Sequence, residues 1–462
     1  MPKIPAVSPS RGRQAASDLF AEADRVCDLV TAGVVALRRD LHSHPEVGWC
    51  EYRTTARVRD TLSVLGLPLR FGRELYEGVE RLGVPAEDVL AAAEARAAGS
   101  GVEPDVLAAM RGGYSGIVAV MEGDRPGPTI ALRADLDALP LEESAGPDHL
   151  PAREGFRSTV PGVMHACAHD GHTAIAIGVA RALAQLGRPF GGRLVFVFQP
   201  AEEGTRGADA LVKAGHLADV DVALTFHILT NVGLGTGEVT PDVGGMLATR
   251  KVRVQCDGVP SQFASSPQLG RNTLTVAAAI VSLANAIPRR PGTRSMINCG
   301  KLVAGTAANI VPASATIDAE IRAEDSVELE RLSDAFEALV AGIGLAFDVK
   351  TSVRTMGYAP TATVSPGIAA VIREQAGQIG ATVRGEVSLG ASDDAAFLMA
   401  EAQSRGGEGV YLGLGAGPYR PHHSPGFDFD EEVLGLATRL LVRTILAVGD
   451  GNGDRRASVP GD

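Results

Sequence analysis

The densest group of chemically capable side chains lies at residues 164–172. This segment reads Met-His-Ala-Cys-Ala-His-Asp-Gly-His, so one thiol, three imidazoles and one carboxylate stand close together in the chain. Thiolate and imidazole are ligands of first-row transition metals, and Cys167 and His169 could reach one ion or bridge two. The alternative is a helix-entry loop with incidental histidines, in which Asp170 caps the helix. The spacing matches neither a zinc finger nor a thioredoxin motif.

Two adjacent carboxylates, Glu202 and Glu203, follow the apolar run at residues 193–198, a predicted strand. Adjacent side chains at the end of a strand diverge, so one could bind a metal while the other faces the reacting atoms. A metal-dependent hydrolase needs both a ligand and a general base. Taken alone, such a pair is more typical of the solvated start of a helix.

Two further histidine positions lie near the ends of predicted elements. His227 follows the apolar run 222–226, and His422 and His423 precede the last predicted helix. Singly, His227 is typical of a structural histidine, and the His-His pair is typical of a polar loop capped by Asp430. Together these positions fall where an α/β sheet gathers its functional loops. Mixed thiolate, imidazole and carboxylate ligation suits zinc, manganese, cobalt or nickel, and the sequence does not choose among them.

The elements that must position these residues alternate between strands and helices. Short apolar runs bounded by Gly and Pro predict buried strands at 116–121, 129–133, 193–198 and 222–226. Apolar residues at three- and four-residue intervals predict helices: two within 16–65 around the loop 42–46, then 173–186, 207–214 and 431–447. Residues 80–112 predict a peripheral helical insertion whose role is not assigned. This alternation predicts an α/β fold.

A second pattern begins near residue 247 and ends near residue 358. Strands, helices and strands follow one another in the order β-α-β-β-α-β, which is ferredoxin-like. We therefore predict a discontinuous catalytic domain at 16–245 and 359–449, an inserted α+β domain at 246–358, and flexible tails at 1–15 and 450–462.

The composition excludes several classes of protein. The chain has 462 residues, 45% of them hydrophobic, and a formal net charge of −12, so nucleic acid and anionic membranes are not expected partners. No signal peptide or membrane span is predicted, because no apolar run is long enough. Five cysteines make no disulfide framework and suit a reducing compartment. We expect a cytoplasmic protein with a small-molecule partner.

These residues resemble the di-metal aminoacylase/carboxypeptidase family of metallopeptidases, peptidase family 20 of the metallo class, in its amidohydrolase branch. The resemblance covers Leu-Arg-Arg-Asp-Leu-His-Ser-His-Pro-Glu at 37–46, Leu-Arg-Ala-Asp-Leu-Asp-Ala-Leu-Pro at 132–140, both ligand loops and the final His-His-Ser-Pro. Within the branch, the stretches 47–54, 113–116 and 199–207 are most similar to the aminobenzoyl-glutamate hydrolases. The resemblance implies a mixed-sheet zinc-peptidase-like catalytic domain, with the inserted domain as a lid and dimerisation surface.

The resemblance also implies a role for each matching position. Two divalent cations, zinc or manganese first and cobalt or nickel as alternatives, would be held by five ligands: Cys167 as the bridge, and His169, Glu203, His227 and His423. Glu202 would be the general base, and Asp135 and Asp137 would orient ligand imidazoles. Asn309 and Arg322 would grip a substrate carboxylate. The implied reaction is hydrolysis of an N-acyl or N-aroyl amino acid by a homodimer, or by a hetero-oligomer as the alternative.

Three positions depart from the pattern of the family. Gln262 stands where a lid histidine usually donates to the oxyanion, Ala168 replaces a glycine between two ligands, and Asp393 replaces a glutamate. An amide can donate a hydrogen bond but cannot carry a positive charge. Two alternatives to hydrolysis therefore stay open: a metal-bound homologue that only binds its ligand, and one whose chemistry is redirected, for instance to amide formation.

Overall fold

The structure, a computed structural model, describes residues 9–417 and 421–450. Its helices are α1 (Pro9–Ser43), α2 (Tyr52–Val64), α3 (Glu87–Gly99), α4 (Pro104–Met110), α5 (Leu150–Arg153), α6 (His169–Gln185), α7 (Ala208–Lys213), α8 (Thr273–Ala284), α9 (Ser326–Ala346), α10 (Pro366–Gln378), α11 (Ala396–Ser404) and α12 (Glu432–Gly449). Its strands are β1 (Leu69–Phe71), β2 (Ile117–Glu122), β3 (Arg125–Asp135), β4 (Gly191–Gln199), β5 (Val222–Leu229), β6 (Glu238–Thr240), β7 (Val243–Gly244), β8 (Ala248–Asp257), β9 (Ser295–Ala304), β10 (Ser314–Ala323), β11 (Lys350–Ala359), β12 (Thr382–Val383), β13 (Val387–Ser388) and β14 (Glu408–Gly415).

The larger sheet has eight strands in the order β1-β2-β4-β3-β5-β14-β6-β12. Strand β3 pairs in parallel with β4 and β5, and β5 pairs in parallel with β14, whereas β2 runs antiparallel to β4. The sheet is therefore mixed, with a parallel centre.

Both faces of the central strands are covered. On β4, Phe196 packs in the cluster formed with α1, α6 and α12, and Val195 packs in a cluster on the opposite face. A strand buried on both sides needs apolar side chains in both directions. This explains the continuous apolar run that predicted β4, and the mixed α/β class predicted from the sequence is confirmed.

The smaller sheet has four antiparallel strands in the order β11-β8-β10-β9. Helices α8 and α9 cover one face, where Ile317 and Ile321 of β10 are buried in a separate hydrophobic cluster. Alternate residues of β10, including Glu320 and Arg322, point to the other, partly open face. The strand β9 forms one edge of this sheet.

Some predicted features fall near the ends of the chain. Helix α1 begins at Pro9, so its first residues fall within the segment 1–15 that was predicted as a flexible tail. The predicted tails at 1–8 and 451–462 lie outside the described residues. The insertion 80–112 contains α3 and α4. In the described ranges, no helix combines the length and the apolar character needed to cross a bilayer.

Candidate metal centre

The parallel strands bring the candidate ligands to one edge of the large sheet. Asp135 ends β3, Glu202 and Glu203 follow the end of β4, and His227 lies near the end of β5. Helix α6 begins at His169, two residues after Cys167. The backbone N–H of His423 donates to the Ala166 carbonyl at 2.9 Å, which ties the histidine loop to the Cys167 segment.

Five side chains form two groups of three that share one sulfur. Ligand atoms of Cys167, His169 and His227 lie within 4.8 Å of one another, as do those of Cys167, Glu203 and His423. The Cys167 Sγ lies 3.6 Å from His227 Nε2, and His423 Nε2 lies 3.2 Å from Glu203 Oε1. The structure thus brings together the five residues predicted as metal ligands.

The two buried imidazoles are oriented by backbone carbonyls. His169 Nδ1 donates to the Asp137 carbonyl at 2.8 Å, and His227 Nδ1 donates to the Ile228 carbonyl at 2.7 Å. When Nδ1 carries the proton, Nε2 presents its lone pair, which is the arrangement of metal-binding histidines.

The Asp137 carboxylate positions the Glu202–Glu203 turn. Its oxygens accept the backbone N–H groups of Glu202 and Glu203 at 3.0 and 2.9 Å. Asp137 therefore aligns the carboxylate pair through its side chain and His169 through its backbone carbonyl. Only the second contact matches its predicted role in orienting imidazoles.

The donor set fits divalent cations. His169 Nε2 and Glu203 Oε1 are buried and have no hydrogen-bond partner among the residues described, although a buried polar atom without such a partner is unfavourable. Burial, reinforced by the charge of Glu203, raises the pKa of the Cys167 thiol well above its usual range. Cations at this position would satisfy the orphaned atoms and hold the sulfur as a thiolate.

A second potential ligand group is already satisfied by the protein. His172 Nδ1 donates to Asp135 Oδ1 at 2.6 Å, and its Nε2 accepts the backbone N–H of Ile228 at 2.9 Å. The other Asp135 oxygen accepts from Arg133 at 2.7 Å. Asp135 therefore orients His172, which is not one of the predicted ligands. An oxygen of Asp135 also lies 3.6 Å from Nε2 of the predicted ligand His169.

The carboxyl group of Glu202 is buried beside the cluster, with one oxygen 3.8 Å from His169 Nε2. Burial raises the pKa of Glu202 well above its usual range, and the nearby charges of Asp393 and Glu203 raise it further. A carboxyl group whose pKa is raised can both accept and return a proton near neutral pH.

Backbone strain concentrates around the same residues. Ala168, Ala201 and His423 have φ values of 70°, 54° and 59°, in the left-handed region that side chains with a Cβ disfavour. Such conformations cost on the order of 1–3 kcal/mol each and persist where the surroundings enforce them. The Ala168 strain accompanies the replacement of the expected glycine.

The predicted substrate residues lie on the smaller sheet and its loops. Gln262 and Asn309 are exposed in neighbouring loops, where Phe263 N–H donates to the Asn309 carbonyl at 3.2 Å. Arg322, on β10, donates to Glu320 at 2.9 Å. Within the described residues, none of these three side chains bonds to the ligand cluster.

Some residues of the site have roles that were not predicted from the sequence. His422 Nδ1 lies 3.5 Å from Cys167 Sγ, and burial with the charge of His423 lowers the pKa of His422 to about 3. Asp393 accepts hydrogen bonds from Arg133 at 3.1 Å and from Tyr411 at 2.8 Å. In the sequence, the His-His pair could have indicated the role of His422, and the position of Arg133 in a buried strand could have indicated its pairing with a carboxylate.

The chain is similar to known proteins along most of its length. The model of the peptidase family M20/M25/M40 matches residues 131–447. The indole-3-acetyl-aspartic acid hydrolase of Enterobacter agglomerans is 39% identical over 412 residues, which cover 88% of this chain and 94% of that protein. One of the subunits of the p-aminobenzoyl-glutamate hydrolase of Escherichia coli (strain K12) is 39% identical over 413 residues, with the same shares of 88% and 94%.

A solved structure extends the similarity to three dimensions. The aminobenzoyl-glutamate utilization protein of Klebsiella pneumoniae superposes with a TM-score of 0.78 at 34% identity, and the match covers 92% of this chain and 98% of the other. The family resemblance predicted from the sequence is confirmed: the chain belongs to the peptidase family M20/M25/M40.

Proposed function

We propose that the chain is a metal-dependent amidohydrolase that cleaves the amide bond of an N-acyl or N-aroyl amino acid. The observation that carries the proposal is the pair of ligand groups sharing Cys167, with the carboxyl of Glu202 beside them. The relatives named as hydrolases of indole-acetyl-aspartate and aminobenzoyl-glutamate support this class of substrate.

In this proposal, His169 and His227 would hold one cation and Glu203 and His423 would hold the other, with Cys167 belonging to both ligand groups. Such a pair supplies an acidified water and a polarised carbonyl. Zinc and manganese fit the mixed donor set, with cobalt and nickel as alternatives. Glu202 takes a proton from the attacking water and returns it to the leaving nitrogen. Its raised pKa makes the carboxylate a better acceptor of the water proton, and the resulting carboxylic acid is still acidic enough to protonate the leaving amine nitrogen.

We further propose that the segment 246–358 serves as the lid and dimerisation domain, with Asn309 and Arg322 gripping the α-carboxylate of the substrate. The bidentate fork of arginine suits that task. Apolar side chains on and near the edge strand β9, such as Val303 and Ile310, are exposed and support a homodimer through this edge. The five cysteines are free, which supports a reducing, cytoplasmic location.

Gln262 favours retention of hydrolysis over pure ligand binding. Its Oε1 accepts the Ser265 backbone N–H at 2.5 Å, which leaves its NH₂ group as the donor of the amide. A neutral donor can still stabilise a developing oxyanion. Binding without turnover, or product formed from separate amine and acid, would favour the two alternatives.

The test is a panel of N-acyl amino acids, including aminobenzoyl-glutamate, indole-acetyl-aspartate and benzoyl-glycine, incubated with the Mn²⁺- or Zn²⁺-loaded protein and followed by mass spectrometry. Cleavage by the wild type is expected, with Glu202→Gln slowing kcat roughly 10²- to 10⁴-fold while the metal stays bound. The exposed Glu122→Gln is the matched control and should retain full activity. No cleavage of any compound, or full activity of Glu202→Gln, contradicts the proposal.

A further inference from the structure

A cavity of about 400 Å³ opens beside the candidate metal centre, between the two sheets. The turn that carries Glu203 and Arg206 lines one side, and Lys251 of β8 and Met356 of β11 line the other. Because Glu203 is a proposed metal ligand, the cavity adjoins the place where the amide would be cleaved.

The guanidinium of Arg206 is held in this cavity without a carboxylate partner. Its Nη1 donates to the Gly83 carbonyl at 2.8 Å, while its buried Nε has no hydrogen-bond partner in the part of the chain that the structure describes. Glycines leave room for it: a Cβ added at Gly48 or Gly204 would lie 2.3 Å from Nη2 or 2.6 Å from Nε. The glycines therefore leave space for the Arg206 guanidinium, and no carboxylate of the described residues forms an ion pair with it.

Lys251 is the second cation that lines this cavity. Its neighbour across β10 is Glu320, which accepts a hydrogen bond from Arg322 at 2.9 Å, and its neighbour across β11 is Gly357. Among the described residues, no hydrogen bond or ion pair involves the Lys251 ammonium group, although the side chain is only partly exposed.

We propose that Arg206 and Lys251 bind the side-chain carboxylate of the amino acid in the substrate, and so select aspartate or glutamate conjugates. This inference rests on the proposed function and adds a subsite to it. Partly buried cations without partners are unfavourable, and a ligand carboxylate would pair with both. The chain carries a net charge of −12 and Glu203 shares the cavity, so a dianionic substrate needs local positive charge to enter.

The test compares aminobenzoyl-L-glutamate with aminobenzoyl-L-glutamine, which has nearly the same shape but lacks the second charge. We expect wild-type kcat/KM to favour the glutamate compound at least about tenfold, and Lys251→Met or Arg206→Met to lower this preference about ten- to hundredfold. The ratio does not depend on the fraction of active enzyme, so partial misfolding of a variant does not mimic the effect. Lys350→Met, exposed at the start of β11, is the matched control and should keep the wild-type ratio.

A calorimetric titration of both compounds into the metal-loaded Glu202→Gln protein measures the same preference as binding. We expect the protein to prefer the charged compound, and this preference to weaken in the double variants Glu202→Gln/Lys251→Met and Glu202→Gln/Arg206→Met. That result supports the subsite even if the wild type cleaves nothing. A wild type that cleaves nothing contradicts only the proposed function. Equal binding of the two compounds, or a preference unchanged in both double variants, overturns the subsite while leaving hydrolysis intact.

Discussion

The thiol of Cys167 stands between two sets of ligand atoms, one from His169 and His227 and one from Glu203 and His423. The surrounding protein satisfies other nearby groups, such as His172, but within the described residues it provides no hydrogen bond to His169 Nε2 or Glu203 Oε1. This contrast between satisfied and orphaned atoms separates structural polar residues from candidate ligands.

Gln262 allows a test of transition-state stabilisation at the level of one residue. We expect Gln262→Ala to lower kcat by about 10²- to 10³-fold with little change in KM, because an oxyanion donor acts mainly in the transition state. Steady-state kinetics on the best substrate of the panel measures both constants. Gln268→Ala, exposed in the same loop, is the control, and an unchanged kcat in Gln262→Ala would refute the role of the amide.

At the scale of elements, strand β11 docks directly on the turn that carries the carboxylate pair. The Tyr358 backbone N–H donates to the Thr205 carbonyl at 2.8 Å, and Gly357 lies against Gly204. The position of the smaller sheet over the site is therefore coupled to the position of Glu202 and Glu203 through backbone contacts.

Gly357→Ala should disturb this coupling. The added Cβ would lie 1.9 Å from the Gly204 carbonyl oxygen, so the strand or the turn must move. We expect a loss of about 1–3 kcal/mol in the free energy of unfolding, measured with urea, and a lower kcat/KM. Gly342→Ala, in α9 with nothing within 4 Å of its added Cβ, should be neutral or stabilising because alanine favours helix. Wild-type activity and stability in Gly357→Ala would show that the contact is unimportant.

The sequence predicted most of the long elements before residue 360, the last helix and the order of the inserted unit, because their apolar periodicity is strong. It did not predict β6, β12 or β13, which have only two or three residues and no periodicity of their own. The ligand set came from matching motifs. The hydrogen bonds of Asp137 to the Glu202–Glu203 turn and the approach of His422 to Cys167 join segments distant in the chain, so no local pattern could predict them.

At the scale of the whole molecule, the edge strand β9 offers a surface for a second copy. Leu302, Val303 and Ile310 are 40%, 53% and 41% exposed. An edge strand also carries unpaired backbone groups that favour association.

We expect the wild type to sediment as a dimer and Val303→Glu to sediment as a monomer, because a charge at an apolar interface remains unpaired. Analytical ultracentrifugation measures the change. Val327→Glu, 72% exposed on α9, is the control and should leave the dimer intact. A wild-type monomer, or a dimer unaffected by Val303→Glu, would contradict association through β9. Activity that appears only in the presence of a second, different chain would favour a hetero-oligomer.

The most direct test of the account is the number of metal ions bound per chain, measured by elemental analysis after equilibrium dialysis against Mn²⁺ or Zn²⁺. We predict two ions in the wild type and a loss of binding in Cys167→Ala that affects both sites, since the two ligand groups share this sulfur. Cys299→Ala, a half-buried thiol on β9, should still bind two. A wild type that binds no metal, or a Cys167→Ala variant that binds two ions as tightly as the wild type, would contradict the shared centre.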